Sequence, residues 1–259
     1  MDLGLKGRRA IVCASSRGLG KACALSLVKE GCDVVINGRD SQSLQETELE
    51  LSMLGCGTVT AVCADINEAA GRHLLLAACP EPDILVNNNG GPPPGSYRQW
   101  DEAAWLSALQ ANMLTPTLLI QSVIDGMRER RFGRIVNITS AMVKSPHPAM
   151  GLSTAARAAL TAFSKGLCRE VARDNVTINN MLPERFDTGR QKQMAEIAMA
   201  IQGITYEEAR AQMASTIAAN RLGQPQEFGD ACAFLCSEQA GFISGQNLQL
   251  DGGSYAGLI

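Results

Sequence analysis

Short apolar, β-branched runs alternate along this chain with longer stretches in which apolar residues recur at helical spacing. Residues 10–13, 33–37, 58–63, 84–87, 134–138 and 176–179 read as strands, and residues 20–30, 41–54, 68–78, 102–131 and 153–173 as the helices between them. That rhythm predicts an α/β fold, a doubly wound parallel sheet with helices on both faces. Residues 190–219 carry no strand pattern and read as one or two helices, with Met194, Met199 and Met213 among alanines and charges. A short helix over 226–236 and a last strand over 247–250 close the chain. No repeat or linker interrupts the pattern, so residues 1–259 are expected to form a single domain.

Composition narrows the class of partner. With 23 basic and 26 acidic residues the net charge is −3, without a block of like charge for a nucleic-acid or membrane surface. A small-molecule substrate is the expected partner, with no nucleic acid and no membrane. Nine scattered cysteines form no CxxC pair and read as buried thiols, which suits a reducing, cytoplasmic setting. Only His73 and His147 are present, so no metal site is expected. The apolar run after the charged N-terminus is too short for a signal peptide, and no apolar stretch reaches membrane-spanning length.

The chemistry gathers at strand ends. The sequence "AIVCASSRGLGKACA" joins the first strand to the first helix, with Gly18 and Gly20 at the turn. Glycines there let the backbone approach a pyrophosphate, and the helix N-terminus offers free N–H groups and a positive dipole end. The second strand ends in Asn37-Gly38-Arg39, without the acidic residue that would bind a ribose 2′-hydroxyl. Arg39 and Arg17 instead suit a 2′-phosphate, which favours NADP(H); the alternative is a solvated Arg39 paired with Asp40. Asp65 follows the third strand and Asn87-Asn88-Asn89-Gly90 the fourth, at carboxyl ends where open α/β sheets bind ligands.

Taken together these segments resemble the short-chain dehydrogenase/reductase family, and within it the 3-oxoacyl carrier-protein reductase-like branch, over nearly the whole length. The resemblance lies in "ASSRGLG", "NNNG", Asn112 in "ALQANML", Ser140 in "GRIVNITSA", "PERFDT" and "ISGQNLQLDGG". It implies a Rossmann-like domain that is a homotetramer or dimer. It also implies a cofactor site formed by Ser15, Ser16, Arg17, Gly18, Leu19 and Gly20, by Arg39, Asp65 and Ile66, and by Asn87, Asn89, Gly90, Pro183 and Thr188. By the same resemblance residues 190–220 form a helical lid over the substrate.

The family places a tyrosine thirteen residues after its serine and a lysine four further on, which from Ser140 leads to Ser153 and Arg157. Residues four apart share one helix face, so both can look into one pocket. A serine hydroxyl is a poor general acid beside a phenol, and an arginine stays protonated and cannot relay a proton. The expected catalytic set is therefore Ser140 and Ser153 to position the acceptor atom, Arg157 to hold ribose and charge, and Asn112 to orient water or backbone. Lys144 is added as a cation or proton donor; His147 and Tyr97 are further candidates from neighbouring loops, each equally readable as a plain loop residue. Glu184 stands where the proline-glycine turn of the family has glycine; it could pair with Arg185 or Arg157, bind a cationic substrate, or face outward. The methionines of 190–219 suit an adaptable wall or ordinary packing.

Three functions remain open at this point. The first is an NADP(H)-dependent oxidoreductase that reduces a carbonyl or imine with an atypical proton path. The second is a non-redox catalyst on the same scaffold: halohydrin dehalogenases, also related, pair serine with tyrosine and arginine but lack a working dinucleotide loop. The third is a dinucleotide-binding pseudoenzyme acting as a sensor.

Overall fold

The computed structural model describes residues 1–258. Seven strands form one parallel sheet in the order β3-β2-β1-β4-β5-β6-β7. They are β1 (Arg9–Val12), β2 (Asp33–Gly38), β3 (Val59–Cys63), β4 (Ile84–Asn87), β5 (Gly133–Ile138), β6 (Val176–Pro183) and β7 (Asn247–Leu250). Every residue of β4 and β5 is buried, as the unbroken apolar runs predict for strands covered on both faces. Strand order reverses between β1 and β4, and it is outside the carboxyl ends at such a point that this fold opens a crevice.

Helices α1 (Gly18–Lys29), α2 (Ser41–Ser52) and α9 (Pro225–Cys236) cover one face, where Leu27, Leu44 and Phe228 join Val12 and Ile36 in one core. On the other face Leu75, Leu119, Ile120 and Leu160 pack on Ile11, Leu85 and Ile135. They belong to α3 (Ala69–Ala78), α5 (Thr115–Glu129) and α6 (Gly151–Val171). The segment read as one or two helices is two, α7 (Gly189–Gln202) and α8 (Tyr206–Ser215), with a small core of Ala195, Ala209 and Met213. No helix among the described residues is long and apolar enough to cross a membrane.

One expected helix is interrupted. The stretch 102–131 divides into α4 (Glu102–Leu109), a π-helical turn (Gln110–Leu114) and α5. Pro116 lacks the N–H that a continuous α-helical ladder would need, and the wider turn absorbs the break while burying Asn112.

Gly229 lets α9 lie directly on α1: an added Cβ would strike the Ala22 carbonyl and sit 2.6 Å from Ser26 Oγ. Gly229→Ala should therefore lower stability by about 1–3 kcal/mol through overpacking. Urea unfolding measures this, and an unchanged midpoint would show that the two helices separate freely.

Candidate active site

The turn from β1 into α1 is shaped by two residues in left-handed backbone, Ala14 (φ 45°) and Gly18 (φ 62°). Arg17, the residue before α1, gives no side-chain cap, so the first N–H groups of α1 keep their capacity for an anion. Gly20 is required by space: a Cβ there would collide with the Ala14 carbonyl and lie 2.8 Å from Asn88 Nδ2. Ser15 is consumed by the turn, its hydroxyl donating to the Val12 carbonyl at 2.7 Å, whereas Ser16 and Arg17 line a cleft.

That cleft, of about 280 Å³, runs past Arg39, Asp65 and Ile66. Arg39 does not pair with Asp40, which instead caps α2 by accepting from Ser43 N at 2.8 Å and whose carboxyl is lowered from its ordinary value by the Ser43 hydrogen bonds. The exposed Arg39 guanidinium lies 3.6 Å from Asp65. A second cleft of about 440 Å³ shares Arg17, Asn88 and Gly90 with the first and continues along Gly18 and Leu19 to Ser140, Ser153, Arg157, Pro183, Glu184 and Thr188. Uncapped helix, glycine-lined approach and two joined clefts fit an extended dinucleotide.

The asparagine turn after β4 works mostly inward. Asn87 Nδ2 donates to Asn137 Oδ1 (2.9 Å), Asn137 Nδ2 to Asn180 Oδ1 (3.0 Å), and Asn180 Nδ2 to Asn247 Oδ1 (2.8 Å). These four amides occupy paired positions on β4, β5, β6 and β7. Asn88 donates to the Ala14 carbonyl at 3.1 Å, and Asn89 to Asn67 Oδ1 and the Ala111 carbonyl. Gly90 has open space beside its Cα, so here the chain offers a ligand backbone more than side chain.

Ser153 and Arg157 do share one face of α6, and both are buried. Arg157 Nε donates to Ser153 Oγ at 3.2 Å; Nη1 donates to the carbonyls of Ile138 (2.6 Å) and Thr139 (3.0 Å), and Nη2 to that of Asn89 (3.4 Å). The guanidinium is thus engaged by three strand-end carbonyls and one hydroxyl, with a single N–H left over. Burial alone draws its pKa down to about 10, with no carboxylate opposing the shift. Ser140 Oγ accepts from Met142 N at 3.2 Å. Asn112 lies behind this wall, its Nδ2 donating to the Gly90 and Ala108 carbonyls at 3.4 Å and its Oδ1 buried without a partner.

The loop candidates fall outside the larger cleft. Lys144 Nζ sits 5.4 Å over the Tyr255 ring, His147 Nδ1 accepts from Ala149 N just before α6, and Tyr97 is exposed. Glu184 does line the cleft; burial raises its carboxyl above the ordinary range, opposed by Arg185, whose Nε is 3.8 Å away, and reinforced by Asp251. Thr188 packs over Gly18, and the first residues of α7, Gly189 to Gln191, border the same space. Sequence reasoning missed Gly91 and Thr139 as cleft residues, and it missed the amide chain through Asn137, Asn180 and Asn247. Its only signal was asparagine recurring inside apolar strands.

Comparison with known proteins finds likeness over nearly the whole chain. Residues 13–255 match a family described as enoyl-(acyl carrier protein) reductase. A 3-oxoacyl-[acyl-carrier-protein] reductase of Vibrio cholerae is 30% identical over 256 residues, covering 98% of this chain and 99% of that one. L-sorbose reductase of Gluconobacter frateurii, solved with NADPH and L-sorbose, superimposes with a TM-score of 0.94 at 27% identity, each chain covered completely (100%). A protein described as a short chain dehydrogenase/reductase family protein superimposes with a TM-score of 0.84 at 28% identity over 99% of this chain and 100% of that one.

Two outcomes follow from the buried charges. Arg157→Met should cost about 2–4 kcal/mol, because several strand-end carbonyls lose their donor, and Arg157→Lys should recover less than half, since an ammonium lacks the planar fork. A loss below about 1 kcal/mol in urea unfolding would contradict the clamp. For Glu184 the folded chain holds the carboxyl proton more tightly than the unfolded one, so ionisation costs stability above the raised folded pKa and nothing below the unfolded value of about 4.3. Glu184→Gln should thus gain stability at pH 8 and lose that advantage at pH 4, read from melting temperatures at the two pH values.

Proposed function

The chain belongs to the short-chain dehydrogenase/reductase family, and from that premise we propose that it is an NADP(H)-dependent oxidoreductase that reduces a carbonyl or imine without a phenolic acid. The observation that carries this reading is the continuity of the cleft, which joins the uncapped N-terminus of α1 to Ser140, Ser153 and Arg157. Arg17, Gly18, Leu19 and Gly20 would hold the pyrophosphate, Arg39 the 2′-phosphate, and Asp65 with Ile66 the adenine end. Asn87, Asn89, Gly90, Pro183 and Thr188 would shape the floor under the rest of the dinucleotide. When bound, the reduced dinucleotide supplies hydride.

The residues of the chain divide the remaining work. Ser153 Oγ accepts from Arg157 and Ser140 Oγ from Met142, so both hydroxyls have their own protons to donate toward a substrate heteroatom. Arg157 acts as a fixed positive charge behind Ser153, and Asn112 fixes the Gly90 carbonyl and with it the loop after β4. Residues 190–220 close over the substrate, anchored by the Arg210–Asp187 pair at 2.7 Å. A homo-oligomer belongs to this reading, with exposed Leu106 of α4, Leu114 of the π-helical turn, Phe242, and Leu248 of β7 as candidate contacts. One observation favours a second reading, a dinucleotide-binding protein without turnover: the larger cleft presents no Tyr, His, Lys or Cys among the described residues.

Titration with NADPH and NADH by fluorescence, followed by NADPH oxidation with diketones, oxoesters and cyclic imines, separates these. NADPH should bind more tightly than NADH, and Arg39→Ala should weaken NADPH by about tenfold or more while leaving NADH nearly unchanged. Turnover of any acceptor supports the reductase; tight binding without turnover favours the second reading; failure to bind either dinucleotide removes both.

A further inference from the structure

Among the described residues Glu184 is the one acidic side chain that lines the 440 Å³ cleft. It follows Pro183, the last residue of β6, and its backbone N–H is fixed by the Leu250 carbonyl at 3.2 Å, so its position belongs to the sheet and not to a loose loop. Its side chain is 19% exposed. The carboxylate accepts no hydrogen bond from any described residue; its nearest cation, Arg185 Nε, lies at 3.8 Å, too far for a hydrogen bond. A half-buried carboxylate whose one ion-pair partner stands at that distance, and whose oxygens open on the cleft, keeps capacity for a second cation.

The cations that share the cleft each have another place or task. Arg17 lies at the N-terminus of α1, where dinucleotide phosphates are expected. Arg157 is engaged by three carbonyls, and Arg190 stands in the first turn of α7 at the rim. With anionic cofactor bound opposite Arg17, Glu184 is left facing the substrate space as a fixed negative charge. We propose that Glu184 is a specificity residue that selects cationic acceptors, an iminium above all, by pairing its carboxylate with the positive nitrogen. The inference rests on the dinucleotide-dependent reduction proposed above and names its substrate class.

The chemistry agrees with the absence of a phenol. Hydride adds to the iminium carbon, the C=N π pair becomes the lone pair on nitrogen, and the two electrons come from the reduced nicotinamide co-substrate, which is oxidised. The product is a neutral amine; no proton moves in the step, and the amine takes one from solvent after release. A ketone in the same place would develop an alkoxide. That alkoxide would need an acid that serine hydroxyls supply poorly, and an ionised Glu184 would oppose it.

The test uses the intact protein and permanently charged probes. Binding of N,N-dimethyl-1,2,3,4-tetrahydroisoquinolinium, which cannot be reduced, is measured by calorimetry on protein saturated with NADP⁺. NADPH oxidation is followed with N-methyl-3,4-dihydroisoquinolinium and with its neutral near-isostere α-tetralone. The wild-type protein should bind the cation, and Glu184→Gln and Glu184→Gly should each weaken it by about ten- to a hundredfold. The iminium should be reduced in preference to the ketone, with that preference lost in both variants through a raised KM. Unchanged cation binding in the two variants, or no cation binding by a protein that binds NADPH, would overturn the proposal. A protein that binds neither NADPH nor NADH would instead remove the reading beneath it, and this inference with it.

Discussion

Three backbone carbonyls at the carboxyl ends of neighbouring strands, those of Asn89, Ile138 and Thr139, point at one guanidinium. Arg157 is buried with no carboxylate beside it among the described residues, and its charge is balanced by those dipoles and by Ser153 Oγ. A cation so placed is expensive to bury and is tolerated because its planar fork satisfies several acceptors at once. The loops after β4 and β5 are thereby held to α6, and the relative positions of Gly90, Ser140 and Ser153 follow from that attachment. A lysine at this position would offer a mobile point charge; the arginine gives a rigid joint.

Around that joint the cleft is made largely by withholding side chains. Gly20 has no room for a Cβ between the Ala14 carbonyl and Asn88. Gly91 leaves open the space beside Ser153 and Arg157, whose nearest atoms would stand 3.8 and 3.6 Å from an added Cβ. The polar side chains nearby are mostly spent on the protein itself: Ser15 on Val12, Asn88 on Ala14, and Asn89 on Asn67 and Ala111. What remains for a ligand is backbone N–H, two serine hydroxyls, and charges set at the two ends.

The strands, the parallel sheet and the glycine turn were legible because each leaves a local mark: unbroken β-branched runs, helical spacing between them, and glycine where a helix begins. The approximate place of Ser153 and Arg157 was legible too, because four-residue spacing fixes a shared face. How the donors of Arg157 are used was not, since the carbonyls that take them carry no side-chain identity. The same limit hid the π-helical turn, where a helical pattern continues through Pro116 without a gap. Lys144, placed in the catalytic set from its loop, lies over the ring of Tyr255, near the other end of the chain, and His147, equally readable as a plain loop residue, caps the short 3-10 turn Pro148–Met150 that precedes α6. Asp40 was the alternative partner for Arg39 by adjacency, but a helix N-cap competes better for a carboxylate than an exposed guanidinium does.

The run of amides from Asn87 through Asn137 and Asn180 to Asn247 bears on how the sheet avoids misassembly. Parallel strands made of Val, Ile and Leu are nearly interchangeable along their length, and little in their side chains distinguishes one alignment from the next. Four asparagines at matched positions remove that ambiguity. Shifting any one strand by a residue leaves amide groups dry among hydrocarbon, at about 1–3 kcal/mol for each unpaired group. The amides therefore act as a proofreading mark: a misaligned sheet is penalised while it forms, before any ligand could test it.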